Sequence, residues 1–283
     1  MDIHSTIAEL RSALDRHRGA GRTVGFVPTM GYLHDGHESL MVRAAAENDV
    51  VVASIFVNPL QFGVGEDLDA YPRDLDGDSA RARRAGVDHL FTPTVAEMYP
   101  RPIQTTVSVR SIAAAMEGAA RPTHFDGVST VVSKLFNIVG PCRAYFGEKD
   151  FQQLAVIRQM TFDLSMPVSV VACPTSREDD GLARSSRNVY LNAEERAVAP
   201  VLHRALRHGA RLIADGETDA AVVRSAMAAM IDAAPLGDLD YVEVADAQTL
   251  EPQIVCSPQS RLFGAIRFGR ARLIDNVGVH ADD

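Results

Sequence analysis

The 283-residue sequence predicts an α/β protein: a doubly wound parallel sheet followed by a smaller α+β domain. Two observations support this fold class. Up to residue 174, short apolar runs alternate with amphipathic stretches, which is typical of parallel strands joined by helices. After Pro174 the chain changes to a loop, an Ala-rich helical region and several strand-like runs. We therefore expect a domain boundary near Thr175, between residues 1–174 and 175–283.

The elements of the first domain are predicted from these patterns. Residues Val50–Val57 form a run without a charged side chain, as expected for a strand covered on both faces. Thr23–Thr29 has the pattern of a strand and His37–Glu47 that of a helix, so the three segments form a strand–helix–strand unit. Further strands are predicted at residues 87–93, Thr105–Val109, Ala144–Phe146 and Val168–Ala172, and further helices at Asp76–Ala85, Gly127–Val139 and Gln152–Ser165.

The second domain has a different order of elements. Its helices are predicted between Ala193 and Ala234, and its strands in LDYVEVAD, RLFGAIRF and ARLIDNV. Helices followed by neighbouring strands are typical of a small α+β unit.

The composition excludes several classes of protein. The net charge is −9 and no basic stripe is present, so we expect no nucleic-acid partner. No run of about 18 apolar residues and no signal-peptide centre is found, so we expect a cytoplasmic protein without a membrane contact. Three widely spaced cysteines fit neither a disulfide framework nor a zinc site, and we expect buried thiols.

Two histidines three residues apart follow the strand Thr23–Thr29. In VPTMGYLHDGH, His34 and His37 lie at the expected start of a helix, above the carboxyl edge of the sheet. Residues i and i+3 share a helix face, and Gly36 between them lets a ligand approach the backbone. Nucleotide phosphates fit this arrangement. A zinc site completed by a third ligand, or two structural histidines, would also explain it.

Three further polar segments follow predicted strands at the same edge. They are NPLQFG with Asn58 and Gln61, GEKDFQQ with Lys149, and ARSSRN with Ser185, Ser186 and Arg187. Lysine and arginine suit phosphate oxygens, and serine hydroxyls add donors, so these segments together predict a triphosphate clamp. The chain contains neither a Walker A loop nor a G-x-G-x-x-G loop, which excludes the two commonest phosphate loops.

These segments resemble the motifs of one family, the pantoate–β-alanine ligases (pantothenate synthetases). The similar segments run in order from about Val24 to Asn276: PTMGYLHDGH, SIFVNPLQFG, EDLDAYPRDL, EGAARPTHFDGVSTVVSKLFNIV, YFGEKDFQQL, DGLARSSRNVYL and ARLIDN. The resemblance implies a Rossmann-like first domain, a C-terminal lid domain and a homodimer. It also implies that ATP activates pantoate as pantoyl adenylate, from which β-alanine displaces AMP to give pantothenate.

The resemblance further implies roles for individual residues. The catalytic residues would be His34, His37, Lys149 and Arg187, with His37 as proton donor or charge stabiliser. The ATP site would comprise Met30, Gly31, His34, Gly36, His37, Gly147, Lys149, Asp150, Ser176, Arg184, Ser185, Ser186 and Arg187. Pantoate and β-alanine would be held by Met30, Asn58, Gln61, Arg121 and Gln153, with His124 close by. The substrate carboxylate is the nucleophile, so no serine or cysteine nucleophile is required.

Three positions depart from the family pattern. Arg184 and Ser176 stand where the family has apolar residues near the nucleotide, so adenine binding is expected to differ. We expect Arg184 to turn toward solvent rather than toward the phosphates or ribose. Gly77 interrupts an acidic stretch. Mg²⁺ is expected with ATP, held mainly by its phosphates, and Asp78 is a candidate contributor for which a solvated helix start is the favoured alternative.

Three other functions remain open from the sequence. A related adenylate-forming ligase or nucleotidyltransferase would use another acid, and we expect few such proteins to share the pair Gln61 and Gln153. A metal-dependent hydrolase would hold its metal with His34, His37 and an aspartate. A nucleotide sensor would bind ATP without releasing pyrophosphate.

Overall fold

The structure is a computed structural model, which describes residues 1–63, 65 and 68–280. The chain forms two compact units. Unit 1 comprises Met1–Glu148 and Gln153–Pro174, and unit 2 comprises Lys149–Gln152 and Thr175–Asp283. In the described ranges, no helix combines the length and the apolar character that a membrane span requires. All three cysteines are free thiols; two are buried and Cys142 is half-buried.

Unit 1 contains a six-stranded parallel sheet. Its strands are β1 (Asp2–His4), β2 (Val24–Thr29), β3 (Val50–Ile55), β4 (His89–Phe91), β5 (Cys142–Gly147) and β6 (Val168–Cys173). Their order is β1-β4-β3-β2-β5-β6, and every neighbouring pair is parallel. Strands β3 and β4 lie on one side of β2, and β5 and β6 on the other. The sheet confirms the predicted fold class, and its order reverses between β2 and β5, where open α/β sheets bind ligands.

The described residues up to 174 contain seven α-helices. They are α1 (Ile7–Gly19), α2 (Asp35–Glu47), α3 (Leu75–Arg84), α4 (Val95–Met98), α5 (Glu117–Ala120), α6 (His124–Val139) and α7 (Phe151–Asp163). The apolar strands β2 and β3 bury most of their side chains, as their sequences predict. Helix α6 buries eleven of its sixteen residues, because its apolar side chains follow the helical period.

One strand prediction for unit 1 is wrong, and one strand of the sheet was not predicted. The strand predicted at Thr105–Val109 is wrong, since these residues have no regular secondary structure. The Val107 N–H is bonded to the Thr130 side chain (3.0 Å) on α6 instead of to a strand. Strand β1 was missed because it has only three residues, largely exposed, and no apolar run. It is recognised only through its parallel pairing with β4.

The described part of unit 2 contains three α-helices and an antiparallel sheet. The helices are α8 (Ala193–Val198), α9 (Val201–Ala214) and α10 (Ala220–Asp232), and the strands are β7 (Asp238–Asp246), β8 (Ser260–Phe268) and β9 (Ala271–Gly278). The strand order is β7-β8-β9. Helix α9 contacts β8 and β9, and α10 contacts β7. Buried side chains such as Leu206, Met227 and Phe268 fill the space between the layers, so the Ala-rich region is packed core.

Candidate active site

The loop with the paired histidines joins β2 to α2. Strand β2 ends at Thr29, and His34 is the N-cap of the helix. Gly31 has a φ of +88°, and a Cβ at this position would lie 2.9 Å from Ile55 Cγ2 and 3.0 Å from an oxygen of Asp78. Both the backbone conformation and the space therefore require glycine. Because glycine has no side chain, the loop can lie directly against Ile55 at the end of β3.

The two imidazoles are held by the backbone of their own helix start. His34 Nδ1 accepts a hydrogen bond from Gly36 N (3.2 Å), and His37 Nδ1 accepts one from His34 N (3.3 Å). The ring centroids lie 4.0 Å apart. Because each Nδ1 accepts, the proton of each neutral imidazole is on Nε2. The arrangement thus presents two N–H donors at a helix N-terminus, where negative charge is stabilised.

Asp78 positions this loop. Its side chain is buried, and its two carboxylate oxygens accept hydrogen bonds from Tyr32 N (2.8 Å) and Leu33 N (2.6 Å). Burial raises the pKa of Asp78, although these two hydrogen bonds oppose the shift. The expected solvated helix start is therefore wrong for Asp78. Asp74 caps α3 instead, accepting from Gly77 N (3.0 Å).

A second polar group follows β3 and contains two predicted substrate residues. Asn58 is 1% exposed and Gln61 is 8% exposed. Asn58 Nδ2 donates to Gln61 Oε1 (3.2 Å), and Gln61 Nε2 donates to Met30 Sδ (2.8 Å). The Tyr99 hydroxyl donates to Asn58 Oδ1 (2.8 Å). The structure therefore brings three predicted residues together and adds Tyr99, which the motifs did not indicate.

Two side chains at or just before the start of α6 contact the backbone of Gln61. His124 Nδ1 donates to the carbonyl oxygen of Gln61 (2.9 Å), and the Arg121 guanidinium donates to the same oxygen (3.2 Å). A Cβ on Gly127 would lie 2.2 Å from the Leu60 carbonyl oxygen, so only glycine permits this approach. Arg121 and His124 thus fix the backbone of Gln61 and leave its side-chain amide turned toward Met30.

Other predicted residues follow β5. Gly147 ends this strand in unit 1, and Gln153 is half-buried in the first turn of α7. Lys149 and Asp150 belong to unit 2 and form an ion pair (3.3 Å). The side chain of Lys149 is 19% exposed, and its carbonyl accepts from Asn276 Nδ2 (2.9 Å). The β9 residue Asn276 therefore anchors the lysine segment within unit 2.

The serine-rich segment of unit 2 forms a short 3-10 helix, Ser186–Tyr190. Ser185 caps it by accepting from Arg187 N (3.3 Å). Asn188 Nδ2 donates to the Ala183 carbonyl (3.1 Å), which ties the helix to the preceding loop. Arg187 is half-buried in the first turn. Backbone N–H groups, hydroxyls and a guanidinium are thus gathered in one short segment.

A buried ion pair secures the loop that precedes this segment. The Arg177 guanidinium donates to both oxygens of Asp275 (2.7 and 3.1 Å), and His203 Nδ1 lies 3.4 Å from the same carboxylate. Burial by itself would raise the pKa of Asp275, but His203 and Arg177 hold it below its usual value. Asp275 lies in ARLIDN, a segment to which the sequence assigned no role.

Two of the three departures from the family pattern, Arg184 and Ser176, lie in this loop. Arg184 does not turn to solvent as expected: its side chain is 25% exposed, because it donates to the Arg177 carbonyl (3.1 Å) and pairs with Glu178 (3.3 Å). Ser176 is half-buried, and its carbonyl accepts from Arg184 N (2.9 Å). Both residues therefore stabilise the turn of the loop.

Comparison with known proteins identifies the family. The profile of the family described as Pantoate-beta-alanine ligase matches residues 2–278. A pantothenate synthetase from Sinorhizobium medicae is 57% identical over 96% of this chain and 94% of its own length. The crystal structure of pantothenate synthetase from Thermus thermophilus has a TM-score of 0.94 and 52% identity, covering 99% of this chain and 100% of that one.

A more distant structure contains ligands. The pantoate-beta-alanine ligase from Francisella tularensis, crystallised with beta-gamma ATP and beta-alanine, has a TM-score of 0.82 and 33% identity, covering 100% of this chain and 99% of that one. The chain described here belongs to the pantoate–β-alanine ligase family. This confirms the family, fold class and ligase activity expected from the motifs. The hydrolase and the ligase for another acid are not favoured.

Proposed function

We propose that this ligase works through a pantoyl adenylate. The pantoate carboxylate attacks the α-phosphorus of ATP, a P–O bond to the β-phosphate breaks, and pyrophosphate leaves. The amine of β-alanine then attacks the activated carbonyl, the amide bond forms, AMP leaves and the amine loses a proton. The nucleophiles belong to the substrates, so the protein has to orient them, neutralise charge and exclude water.

The hydrogen bonds that the two paired histidines accept at Nδ1 are the observation that carries this proposal. Hydrogen bonds to both Nδ1 atoms leave the Nε2–H groups of His34 and His37 as donors. Donors fixed before the reaction stabilise charge that develops on phosphate oxygens without reorganising. We assign His34 and His37 to the ATP phosphates, and Met30, Gly31 and Gly36 to the backbone that the nucleotide approaches.

The acid substrate is assigned to the amide group around Gln61. The amide of Gln61 is turned toward Met30, and Asn58 supports it from the other side. Neutral amides bind a carboxylate and hydroxyls without an ion pair that would stabilise the ground state and slow attack. Gln153 would complete the pantoate contacts, Asn58 would also lie near β-alanine, and Arg121 would act mainly by holding the Gln61 backbone.

The remaining ATP contacts are assigned to residues after β5 and β6. Lys149 and Arg187 would contact the phosphates as the other catalytic residues, because a point charge and a planar fork both suit phosphate oxygens. Gly147, Asp150, Ser185 and Ser186 complete the proposed ATP site. Ser176 and Arg184 border it as residues that shape the loop. A role for residues 175–283 as a lid remains a prediction from the family.

Mg²⁺ would accompany ATP as part of the substrate. Magnesium is usually held by substrate phosphates with one or two carboxylates and several waters. Both oxygens of Asp78 already accept backbone hydrogen bonds, so Asp78 fits a role in positioning the loop better than one as a metal ligand. When bound, Mg²⁺ would neutralise phosphate charge. The homodimer and the cytoplasmic location are likewise predictions.

The two half-reactions test the proposed function. The chain is mixed with ATP, Mg²⁺ and pantoate, pyrophosphate is measured, and AMP is measured after β-alanine is added. We expect pyrophosphate with pantoate alone and AMP only after the second addition. Binding of ATP without pyrophosphate release would instead identify a nucleotide sensor.

A histidine variant tests the residue that carries the proposal. His37→Ala removes one donor, and we expect the rate of pyrophosphate release to fall about 10²-fold or more, the usual loss for one donor to a developing charge. His280→Ala, an exposed histidine after β9, is the matched control and should keep the wild-type rate. A wild-type rate in His37→Ala would contradict the assignment.

A further inference from the structure

A second group of histidines lies on unit 1, at the edge of the sheet where β1 pairs with β4. His4 ends β1, His89 begins β4, and His17 is in the last turn of α1. The parallel register places Asp2 beside His89. The sequence gives no sign of this group, because its members come from three segments. None of them belongs to the proposed ATP or pantoate sites.

The nitrogen atoms of these rings face one another. His4 Nε2 lies 3.0 Å from His89 Nδ1, and Asp2 Oδ2 lies 3.8 Å from the same Nδ1. On the other side of the ring, His89 Nε2 lies 2.9 Å from His17 Nε2. His89 is 5% exposed, whereas the side chain of Asp2 is 76% exposed. Both nitrogens of a buried imidazole thus contact other imidazoles instead of backbone carbonyls.

These separations suit a shared metal ion. The donor atoms of Asp2, His4 and His89 all lie within 4.8 Å of one another, and no other such group is found among the described residues. Two donors bound to a tetrahedral zinc at ~2.0–2.1 Å lie roughly 3.4 Å apart, which is close to the distances observed here. Two imidazoles and a carboxylate are a common donor set for zinc, with a water as fourth ligand.

We propose that Asp2, His4 and His89 bind a divalent transition metal of the zinc class. A metal on His89 Nδ1 leaves its ring proton on Nε2, from which it is donated to His17. Outer partners of this kind orient a ligating histidine and set its tautomer. The Arg22 guanidinium lies 3.5 Å from the other nitrogen of His17. Accepting from His89 would place the His17 proton on that nitrogen, so the exposed Arg22 side chain would have to turn away.

The neutral imidazole is the form of histidine that ligates a metal. The metal would link β1, a three-residue edge strand, to β4. We therefore expect it to stabilise the fold and to leave the ligase reaction unchanged.

Zinc binding to the full chain without a polyhistidine tag tests the proposal. Zn²⁺ is titrated against a chromophoric chelator, and thermal unfolding is followed with and without Zn²⁺. We expect one zinc per chain and a higher Tm with Zn²⁺. His4→Gln should weaken zinc binding more than 100-fold, and His17→Gln about 10- to 100-fold, the usual effect of losing an outer partner. His280→Gln is the control and should bind zinc like the wild type.

Further variants locate the metal and guard against misfolding. Asp2→Asn changes an exposed side chain, so it should fold normally and still bind zinc at least tenfold more weakly. His37→Gln should keep the zinc, and His4→Gln should keep pyrophosphate release, which separates this proposal from the proposed function. Absence of stoichiometric zinc in the wild type, unchanged affinity in His4→Gln, or loss of zinc in His37→Gln would overturn it.

Discussion

Asp78 in unit 1 and Asp275 in unit 2 are both buried carboxylates that hold a loop of their own unit, but they do so with different partners. Asp78 binds two backbone N–H groups of the histidine loop. Asp275 binds the guanidinium of Arg177 and lies beside His203. Burial raises the pKa of Asp78, whereas His203 and Arg177 lower that of Asp275 despite its burial. The pKa values of the two buried carboxylates therefore shift in opposite directions, because neutral donors offset less of the cost of burial than cations do.

The largest loss of stability is expected when Asp275, the carboxylate partner of Arg177, is removed. Asp275→Ala removes the bidentate partner of the Arg177 guanidinium, whose side chain is only 14% exposed, and breaking such a largely buried pair typically costs about 3–5 kcal/mol. Urea unfolding of the full chain measures this loss. Asp238→Ala, at an exposed position of β7, is the control and should change stability by less than about 0.5 kcal/mol. Similar losses in the two variants would remove the distinction between a buried pair and a surface carboxylate.

A smaller loss of stability is expected when Asp78, which accepts hydrogen bonds from neutral backbone N–H groups, is replaced. Asp78→Asn keeps one acceptor oxygen and places an NH₂ group against a backbone N–H, so the histidine loop loses a charge-assisted hydrogen bond. We expect a loss of about 1.5–3 kcal/mol and slower pyrophosphate release. The exposed Asp76→Asn, in the same turn of α3, controls for the change in charge. An unaltered rate and stability in Asp78→Asn would show that the loop holds its shape without this residue.

The pH dependence of the two effects should have opposite signs. Because the folded pKa of Asp78 is raised, its favourable contribution is present in acid and is lost as the pH rises through that pKa. Because the folded pKa of Asp275 is lowered, its contribution is present above about pH 4 and is lost as the pH falls through that pKa. The Tm of each Asn variant is compared with that of the wild type from about pH 7 to about pH 3. As the pH falls, the Tm difference between the wild type and Asp78→Asn should increase, and the Tm difference between the wild type and Asp275→Asn should decrease. If both differences change in the same direction, the assigned directions of the pKa shifts are wrong.

The smallest effect on stability is expected when the partly exposed ion pair between Arg184 and Glu178 is removed. Arg184→Met restores an apolar side chain and removes the ion pair with Glu178. An ion pair with this exposure contributes about 0–1 kcal/mol, so the free energy of unfolding should fall by no more than about 1 kcal/mol. The KM for ATP should change by no more than about fivefold, which is the same free energy expressed as a ratio. Glu178→Gln removes the other partner of this ion pair, and its stability should equal that of Arg184→Met. A much larger rise in KM for Arg184→Met alone would show direct contact with the nucleotide.

Several residues of the site were predictable because their surroundings are local. The N-cap position of His34 and the shared direction of His37 follow from strand–helix spacing, and the polar residues Asn58 and Gln61 follow a buried strand. Tyr99 was not predictable, since its hydroxyl meets Asn58 across 41 residues. The solvated helix start expected for Asp78 failed for the same reason: its partners, Tyr32 and Leu33, lie more than forty positions earlier in the chain.

The sequence by itself determined the fold class, the family and the main chemical groups, because apolar periodicity and contiguous motifs are local properties of the chain. Tertiary structure alone decided which carboxylates are buried, which partners they have, and which histidines from distant segments face one another. Asp2, His4, His17 and His89 illustrate the difference: parallel pairing of two short strands and the packing of one helix bring them together. Which ring becomes buried and which groups lie beside it both depend on that packing, and neither can be read from residue order.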